Sequence, residues 1–411
     1  MQRKICFILA FVFIISVLAG CRERRDYPTD NAYHPETDYQ YSMSMEDNNL
    51  SITESGSGFY FYLPTCLFYL DMDAINPIAV CNKPECLHYD EPLRSDYQAC
   101  NAYFSAGVRP TLFWYAGYVY IITEEKPGQQ ALVRIAPDGT ERETLYRFET
   151  GTTIETAIVH RGVLYVAKRQ SFQDGTSEGG IWAYSITDLS KKPVCIIPLT
   201  CRYGFNMQQY LTAYGQKLYF TRYTSDDGQR ELCIYDLVSQ EITCIPTDED
   251  GYSPLYVTFS DGIMLLKSKS YIPQGDPDTF EAYPERVYRC RLDGSERTLL
   301  WEDMYYYTAD EQYVYRRYFS TENKKENWQI EICRQDGTQV ETIDLSEIGN
   351  ITDASFHVSA GNRVLIETTL NSGGEFRQRL YWFDKGEIGT EAITIHPFFD
   401  FTFFEYANVG Q

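Results

Sequence analysis

One pattern recurs along most of this 411-residue chain and limits what it can fold into. A glycine opens an alternating aromatic and β-branched run, and a polar loop and two further runs follow. The clearest copy spans residues 214–246, and the opening residues recur at intervals of roughly 50 residues, the length of a four-stranded propeller blade. Seven copies can be aligned, beginning near Gly58, Gly117, Gly162, Gly215, Gly262, Glu311 and Gly361. The sequence therefore predicts an all-β fold, a seven-bladed β-propeller of four-stranded antiparallel blades.

Asp-Gly pairs at 138–139, 293–294 and 336–337 predict tight hairpins between the outer strands, because glycine adopts positive φ without steric cost. The alternative fold is a row of stacked sandwich domains, whose strands need no fixed period. The tail at 401–407 has the pattern of one more strand. We expect this C-terminal strand to pair into the first blade, whose own leading strand near 50–54 is weak, and so to close the ring and remove two exposed edges.

The N-terminus has the features of a secretory signal over residues 1–20: Arg3 and Lys4, an apolar run from 5 to 18, and small residues before Cys21. The ending Leu-Ala-Gly-Cys resembles the bacterial lipobox, which implies cleavage before Cys21 and a lipid such as diacylglycerol or palmitate attached there. An ordinary signal peptide with a chance cysteine is the alternative. We expect residues 21–49 to form a lipidated, flexible tether, residues 50–411 the propeller, and the protein to be extracytoplasmic, anchored to the cell membrane.

Composition narrows the range of partners. The net charge of −22 argues against nucleic acid and against anionic membrane surfaces as partners, and we expect a monomer. The 35 Tyr and 23 Phe resemble a carbohydrate-stacking composition. Most of them occupy alternate strand positions, however, where aromatic side chains pack between blades.

Three pairs of cysteines are candidates for disulfides outside the cytoplasm. Cys233 and Cys244 flank one hairpin turn symmetrically, and Cys66 and Cys81 flank another, so each pair can lie opposite on antiparallel strands. Cys195 and Cys201 are close in sequence and could bridge a loop between blades. Cys290 and Cys333 each precede an Asp-Gly turn by three residues, and we expect them to be buried, small apolar side chains.

Residues 81–104 form an insert in the first spacing and contain four candidate zinc ligands, Cys81, Cys86, His88 and Cys100. The spacing is not one of the well-known zinc patterns. The competing interpretation is a Cys86–Cys100 disulfide that staples the insert, with Cys81 bonded to Cys66 and His88 at the surface. Outside a cell the disulfide is favoured. A second candidate cofactor is calcium, at the acidic run 248–251, which lacks a full twelve-residue binding loop.

The segment Cys-x4-Cys-x-His followed by Cys-Asn-Ala-Tyr-Phe, after a lipobox and before Tyr-rich repeats, resembles a family of uncharacterised lipoproteins from Gram-positive gut bacteria. The resemblance covers the lipobox, the insert and the general repeat pattern. It implies the propeller fold and the location at the cell membrane. It implies no activity.

The function predicted from these features is binding or interaction with an extracellular glycan, peptide or protein. Loops at one end of a rigid scaffold usually carry binding sites. The longest such loop, 267–285, contains Tyr271, Asp276, Asp278, Phe280 and Tyr283. The alternative is a propeller glycoside hydrolase or polysaccharide lyase. The sequence contains no Gly-x-Ser-x-Gly elbow, no His-Glu-x-x-His helix motif and no phosphate-binding glycine loop, so an enzyme is the weaker expectation.

Overall fold

The computed structural model describes residues 27–41, 51–63, 66–72, 74, 76–86, 100–104, 111–171, 176–202, 210–223, 230–270, 284–302, 306–318, 328–358, 361–372, 375–390 and 392–402. These residues form seven antiparallel sheets, and each sheet is built from four strands that are consecutive in the chain. The prediction of a seven-bladed propeller is confirmed. No helix in the described part of the chain has the length and apolar character needed to cross a bilayer.

The strands are given blade by blade. Blade 1 is β1 Ser51–Ser55, β2 Gly58–Leu63, β3 Cys66–Asp71 and β4 Ile78–Ala79; blade 2 is β5 Thr111–Tyr115, β6 Tyr118–Lys126, β7 Gln129–Ile135 and β8 Arg142–Arg147. Blade 3 is β9 Thr152–His160, β10 Val163–Ser171, β11 Thr176–Ser185 and β12 Val194–Arg202; blade 4 is β13 Leu211–Tyr214, β14 Lys217–Tyr223, β15 Arg230–Asp236 and β16 Ile242–Cys244. Blade 5 is β17 Tyr252–Ser260, β18 Ile263–Ser270, β19 Glu285–Cys290 and β20 Thr298–Glu302; blade 6 is β21 Tyr306–Ala309, β22 Val314–Tyr318, β23 Gln329–Cys333 and β24 Gln339–Asp344. Blade 7 is β25 Ile351–Val358, β26 Arg363–Ser372, β27 Glu375–Asp384 and β28 His396–Thr402.

The first strands of neighbouring blades contact one another around the ring axis, as β1 with β5, β5 with β9 and β21 with β25. Alternate apolar residues of each strand fill the spaces between blades. Between blades 7 and 1, for example, Leu365 and Leu380 pack with Ile52 and Phe61, and all four side chains are buried.

The prediction that the C-terminal strand closes the ring is wrong for the residues that the structure describes. β28 pairs with β27 inside blade 7, and β1 pairs with β2 along its whole length as the first strand of blade 1. The four strands of blade 1 all come from residues 51–79. The ring closes through the apolar packing between blades 7 and 1. Residues 403–407 of the predicted strand lie outside the described residues.

The outer hairpins follow the prediction. In each Asp-Gly turn the aspartate Oδ1 accepts a backbone N–H two residues ahead: Asp138 from Thr140, Asp293 from Ser295 and Asp336 from Thr338. Gly139 has a φ of 70°, and a Cβ atom there would lie 2.5 Å from the Cys81 backbone nitrogen. The outer turn of blade 2 therefore packs directly against the insert of blade 1.

One of the three predicted disulfides is formed in the structure. Cys233 and Cys244 lie opposite in the β15–β16 ladder and form a disulfide with an S–S distance of 2.15 Å, which confirms that pair. Cys290 and Cys333 are buried, as predicted.

The Cys66–Cys81 pair is wrong, although its hairpin has the predicted register, with Phe68 opposite Ala79. β4 ends at Ala79, and the segment 100–104 takes its place beside β3, where Leu67 N–H donates to Ala102 O at 2.8 Å. The Cys195–Cys201 pair is also wrong. Both residues lie on β12, six positions apart, so their backbones are about 20 Å apart at the usual rise of a strand.

Candidate functional site: a sealed ring end and a cysteine cluster

Residues 27–41, here called the N-terminal plug, lie across the end of the ring where the first and second strands of each blade are joined, here called the turn end. Three consecutive plug residues contact three well-separated blades. Tyr39 N–H donates to His160 Nδ1 of blade 3 at 3.1 Å, Gln40 Nε2 donates to Glu54 O of blade 1 at 2.7 Å, and the Tyr41 hydroxyl donates to Glu311 of blade 6 at 2.5 Å. Three adjacent residues can do this only at the ring axis, so the plug covers the mouth of the ring.

Arg161 holds the plug in place. It lies in the turn between β9 and β10, and its guanidinium donates to both carboxylate oxygens of Asp38, at 2.8 and 3.0 Å. The same group donates to the backbone carbonyls of Pro28, Asp30 and Ala32. The Arg161 and Asp38 side chains are 7% and 0% exposed. A buried ion pair of this kind is costly to break, because either partner alone leaves an uncompensated buried charge.

Aromatic side chains complete the packing of the plug. Tyr41 lies edge-on to Tyr214 and Phe259, and Tyr33 stacks on Tyr214. The hydroxyls of Tyr41 and Tyr214 both reach Glu311, whose pKa is raised by burial although these hydrogen bonds favour the charged form. The carboxylate is therefore shielded and hydrogen-bonded.

The prediction of a flexible tether is consequently wrong for residues 27–41. The sequence carried a signal that was missed: this stretch contains Tyr27, Tyr33, Tyr39 and Tyr41, whereas flexible segments are poor in aromatic residues. No sequence signal identified Arg161, His160 or Asp38 as the residues that hold it.

His160 couples the plug to pH. Its Nδ1 accepts the Tyr39 N–H and its Nε2 lies 2.8 Å from Gly215 O, so the imidazole is neutral with its proton on Nε2. Burial lowers the pKa of His160 to about 4; the nearby Asp38 carboxylate acts in the opposite direction. Protonation of Nδ1 would place a second proton against the Tyr39 N–H.

We expect acid to destabilise the fold through this residue. An unfolded histidine takes up a proton near pH 6.5, whereas folded His160 does so only near pH 4. The stabilisation is therefore present above about pH 6.5 and is lost as the pH falls towards 4.

Lowering the pH from 7 to 5 should cost about 2 kcal/mol of unfolding free energy from this group. Urea denaturation at both pH values measures it. His160→Asn, which keeps an acceptor and does not titrate, should lose about 2 kcal/mol less than wild type over this interval; an equal loss would contradict the assignment.

The insert brings three cysteines together. The Sγ atoms of Cys81, Cys86 and Cys100 all lie within 4.8 Å of one another, and no disulfide joins them. The Cys86–Cys100 disulfide, which was the favoured interpretation of the sequence, is therefore not formed. A second group, Glu231 with Cys233 and Cys244, is equally close but contains the disulfide and offers no thiolate.

The environments of the three thiols differ. Burial, followed by the contact with Cys86, raises the pKa of the Cys100 thiol to about 12. Burial also acts to raise the pKa of the Cys81 thiol, but its pKa is lowered, because the backbone N–H groups of Lys83 and Asn101 and the other two thiols donate to its sulfur. Cys81 therefore becomes a thiolate more readily than Cys100.

The neighbouring blade supports the cluster. Asn101 Nδ2 donates to Gly139 O at 2.7 Å, and Arg142 Nη1 donates to the carbonyls of Cys100, Asn101 and Tyr103. The Arg142 guanidinium also lies 4.2 Å from the centre of the Phe104 ring. These contacts fix the backbone of 100–104 against blade 2.

The remaining predicted sites are placed as follows. Cys21, His88 and the loop residues Tyr271, Asp276, Asp278, Phe280 and Tyr283 lie outside the described residues. At the acidic run, Asp248 accepts from Tyr252 N–H and the Tyr288 hydroxyl, and Asp250 pairs with Arg286 at 2.6 Å. Both carboxylates therefore have protein partners.

A polar cleft of about 520 Å³ was not foreseen from the sequence. It is an open cleft at the turn end of blades 5 and 6, lined by Arg289, Gln312, Tyr313, Arg334, Gln335 and Asp336. Two guanidinium groups on so acidic a chain make it a local positive feature. No signal in the spacing of the repeats indicated it.

Comparison of the sequence with family models and with curated proteins gives no match. Among solved structures, the protein is similar to a puromycin hydrolase, with a TM-score of 0.53 and 11% identity over 88% of this chain and 55% of that one. It is also similar to prolyl endopeptidases, with a TM-score of 0.54 and 10% identity over 88% of this chain and 50% of that one. A puromycin-hydrolyzing peptidase of Mycobacterium tuberculosis gives a TM-score of 0.50 and 10% identity over 91% and 56%.

The chain thus spans about half the length of these structures. At this identity the similarity establishes the fold alone. The fold and the blade topology together define the class: the protein is a seven-bladed β-propeller of consecutive four-stranded blades.

Proposed function

We propose that this protein is a propeller module held at the cell membrane by a lipid on Cys21, and that it binds an extracellular glycan, peptide or protein. The observation that carries the proposal is the N-terminal plug. Tyr27 contacts Tyr115 at the turn end through their hydroxyls at 2.8 Å. Cys21 precedes Tyr27 by six residues, which span at most about 20 Å. A lipid on Cys21 therefore keeps the turn end next to the membrane.

The binding surface is then the opposite end of the ring. In an antiparallel four-stranded blade, the links between the second and third strands lie at the end away from the turn between the first and second. The link between β18 and β19 spans residues 271–284 and contains Tyr271, Asp276, Asp278, Phe280 and Tyr283. Aromatic rings and carboxylates are suited to stacking on sugars and to hydrogen bonding with hydroxyl or amino groups.

Binding is favoured over hydrolysis because the plug covers the mouth of the ring at the turn end. Glu311, a carboxylate at the turn end, already accepts the hydroxyls of plug residue Tyr41 and of Tyr214. A carboxylate that acts on a glycoside must face the substrate. This supports a binding module and leaves the turn end with a structural role.

The proposal is tested with the chain from Arg22 onward, immobilised through a tag before Arg22 and screened against arrays of bacterial and plant polysaccharides and of peptides. We expect a ligand whose binding is lost when residues 271–283 are replaced by a short Gly-Ser linker. Arg334→Ala, which changes the cleft at the turn end, is the matched control and should bind normally. Binding that survives the loop replacement but is lost in Arg334→Ala would place the ligand at the wrong end and contradict the proposal, as would the absence of any ligand.

A further inference from the structure

The three cysteines of the insert are arranged as a set of metal ligands. All their Sγ atoms lie within 4.8 Å of one another. A tetrahedral zinc ion with Zn–S bonds near 2.3 Å holds its sulfurs roughly 3.8 Å apart, so a small contraction of the existing cluster would suffice. We propose that Cys81, Cys86 and Cys100 bind one Zn²⁺ ion, which ties the insert to the outer edge of blades 1 and 2.

The unbonded state of the cluster favours a metal over a disulfide. A Cys86–Cys100 disulfide would leave Cys81 beside it, and Cys66, whose thiol interacts with the same three cysteines, is unbonded as well. The same structure bonds Cys233 to Cys244 across their hairpin, yet it leaves the three insert cysteines unbonded to one another. Thiolates are soft ligands, and a site built mainly of them selects zinc over calcium or magnesium, which take oxygen ligands.

The three thiolates would fill three of the four positions of tetrahedral zinc and leave the fourth to water or another ligand. The backbone N–H groups of Lys83 and Asn101 donate to the Cys81 sulfur, which is how outer contacts orient a metal-bound thiolate. Asn101 is itself held by Gly139 O of blade 2. The Arg142 guanidinium, bonded to the carbonyl of Cys100, supplies positive charge next to a group that would carry one net negative charge with three thiolates.

The metal would hold together two parts of the insert that no strand pairing joins. Its described residues include one isolated β-bridge, between Cys66 and Tyr103, and no strand of their own. Zn²⁺ would join 81–86 to Cys100 across the intervening chain, and binding would release the protons of the coordinating thiols. His88 was in the ligand set predicted from the sequence; it lies outside the described residues, and the inference does not depend on it. Nor does it depend on the proposed ligand-binding role.

The inference is tested on the chain from Arg22 onward, which contains every described residue, purified without chelators. Elemental analysis should give about one zinc ion per chain. Cys86→Ser should lose the zinc. Cys195→Ala changes a half-buried cysteine on β12 outside the cluster and should retain it. A second measurement needs no variant: after removal of zinc, Co²⁺ alone should restore an absorption spectrum with thiolate-to-cobalt charge-transfer bands.

Two results would overturn the inference. One is a wild-type protein without metal and without a cobalt–thiolate spectrum, in which a peptide map links Cys86 to Cys100. The other is zinc that remains bound at the same stoichiometry in Cys86→Ser. Neither result concerns the plug or the loop at 271–283. Failure of the zinc site is therefore distinguishable from failure of the proposed function.

Discussion

Replacing Arg161 with alanine is expected to lower the unfolding free energy by about 3–5 kcal/mol, the cost of breaking a buried ion pair. The substitution removes the donors to Asp38 and to three plug carbonyls and leaves the Asp38 carboxylate, 0% exposed, without its cation. The backbone contributes little to this cost. Blade 2 has alanine at the equivalent turn position, where Ala116 has a φ of 51° against 48° for Arg161.

Arg134→Ala is the matched control for this variant. Arg134 pairs with Glu143 at 2.7 Å on the outer strands of blade 2, with side chains 32% and 58% exposed, and loss of an exposed pair costs about 1 kcal/mol or less. Urea denaturation gives both values. Limited proteolysis should also cleave residues 27–41 sooner in Arg161→Ala than in the control. Equal, small losses of stability in the two variants would contradict a plug held by Arg161.

The second large effect is expected at a glycine under the plug. Gly215 and Gly262 lie in the corresponding turns of blades 4 and 5, Gly215 as the first turn residue and Gly262 as the second, with φ of 57° and 73°. A Cβ at Gly215 would lie 2.7 Å from Asn31 Cα of the plug, whereas a Cβ at Gly262 would meet no atom within 4 Å. Gly262→Ala should lower the unfolding free energy by about 1 kcal/mol, because alanine is strained at a positive φ. Gly215→Ala should cost about 2 kcal/mol more, because the Asn31 backbone must move.

A deletion separates the two contributions. In a chain that begins at residue 42, the plug is absent, and the cost of Gly215→Ala should fall by about 2 kcal/mol, whereas the cost of Gly262→Ala should not change. Urea denaturation of the wild type, Gly215→Ala, the deletion and the deletion with Gly215→Ala forms a double-mutant cycle and gives this coupling directly. If the cost of Gly215→Ala is the same with and without residues 22–41, the plug does not lie against blade 4.

Much of the fold could be predicted from the sequence because the repeats impose it locally. An alternating run after a positive-φ glycine and an Asp-Gly hairpin each follow from neighbouring residues, and both occur where expected. The Cys233–Cys244 bond is equally local, since the two cysteines flank one turn.

The errors concern contacts between distant parts of the chain. The plug depends on Asp38 meeting Arg161, 123 positions away, and no pattern within either segment indicates the partner. Similarly, Cys66 and Cys81 have the correct hairpin register but are separated by the segment 100–104, which displaces the end of β4. Local spacing predicts which cysteines can meet on a ladder; it does not predict which later segment enters between them.

Hydrogen exchange of residues 27–41 in the chain from Arg22 onward shows whether the plug is folded against the turn end. The Asp38 N–H donates to His34 O at 2.8 Å, the Tyr39 N–H to His160, and Thr37 O accepts the Arg161 N–H at 2.7 Å. We expect amides 38 and 39 to exchange far more slowly than an unstructured chain at pH 7, and Arg161→Ala to remove this protection. Exchange of residues 27–41 at the rate of an unstructured chain in the wild-type protein would contradict the sealed turn end, and with it the orientation proposed for binding.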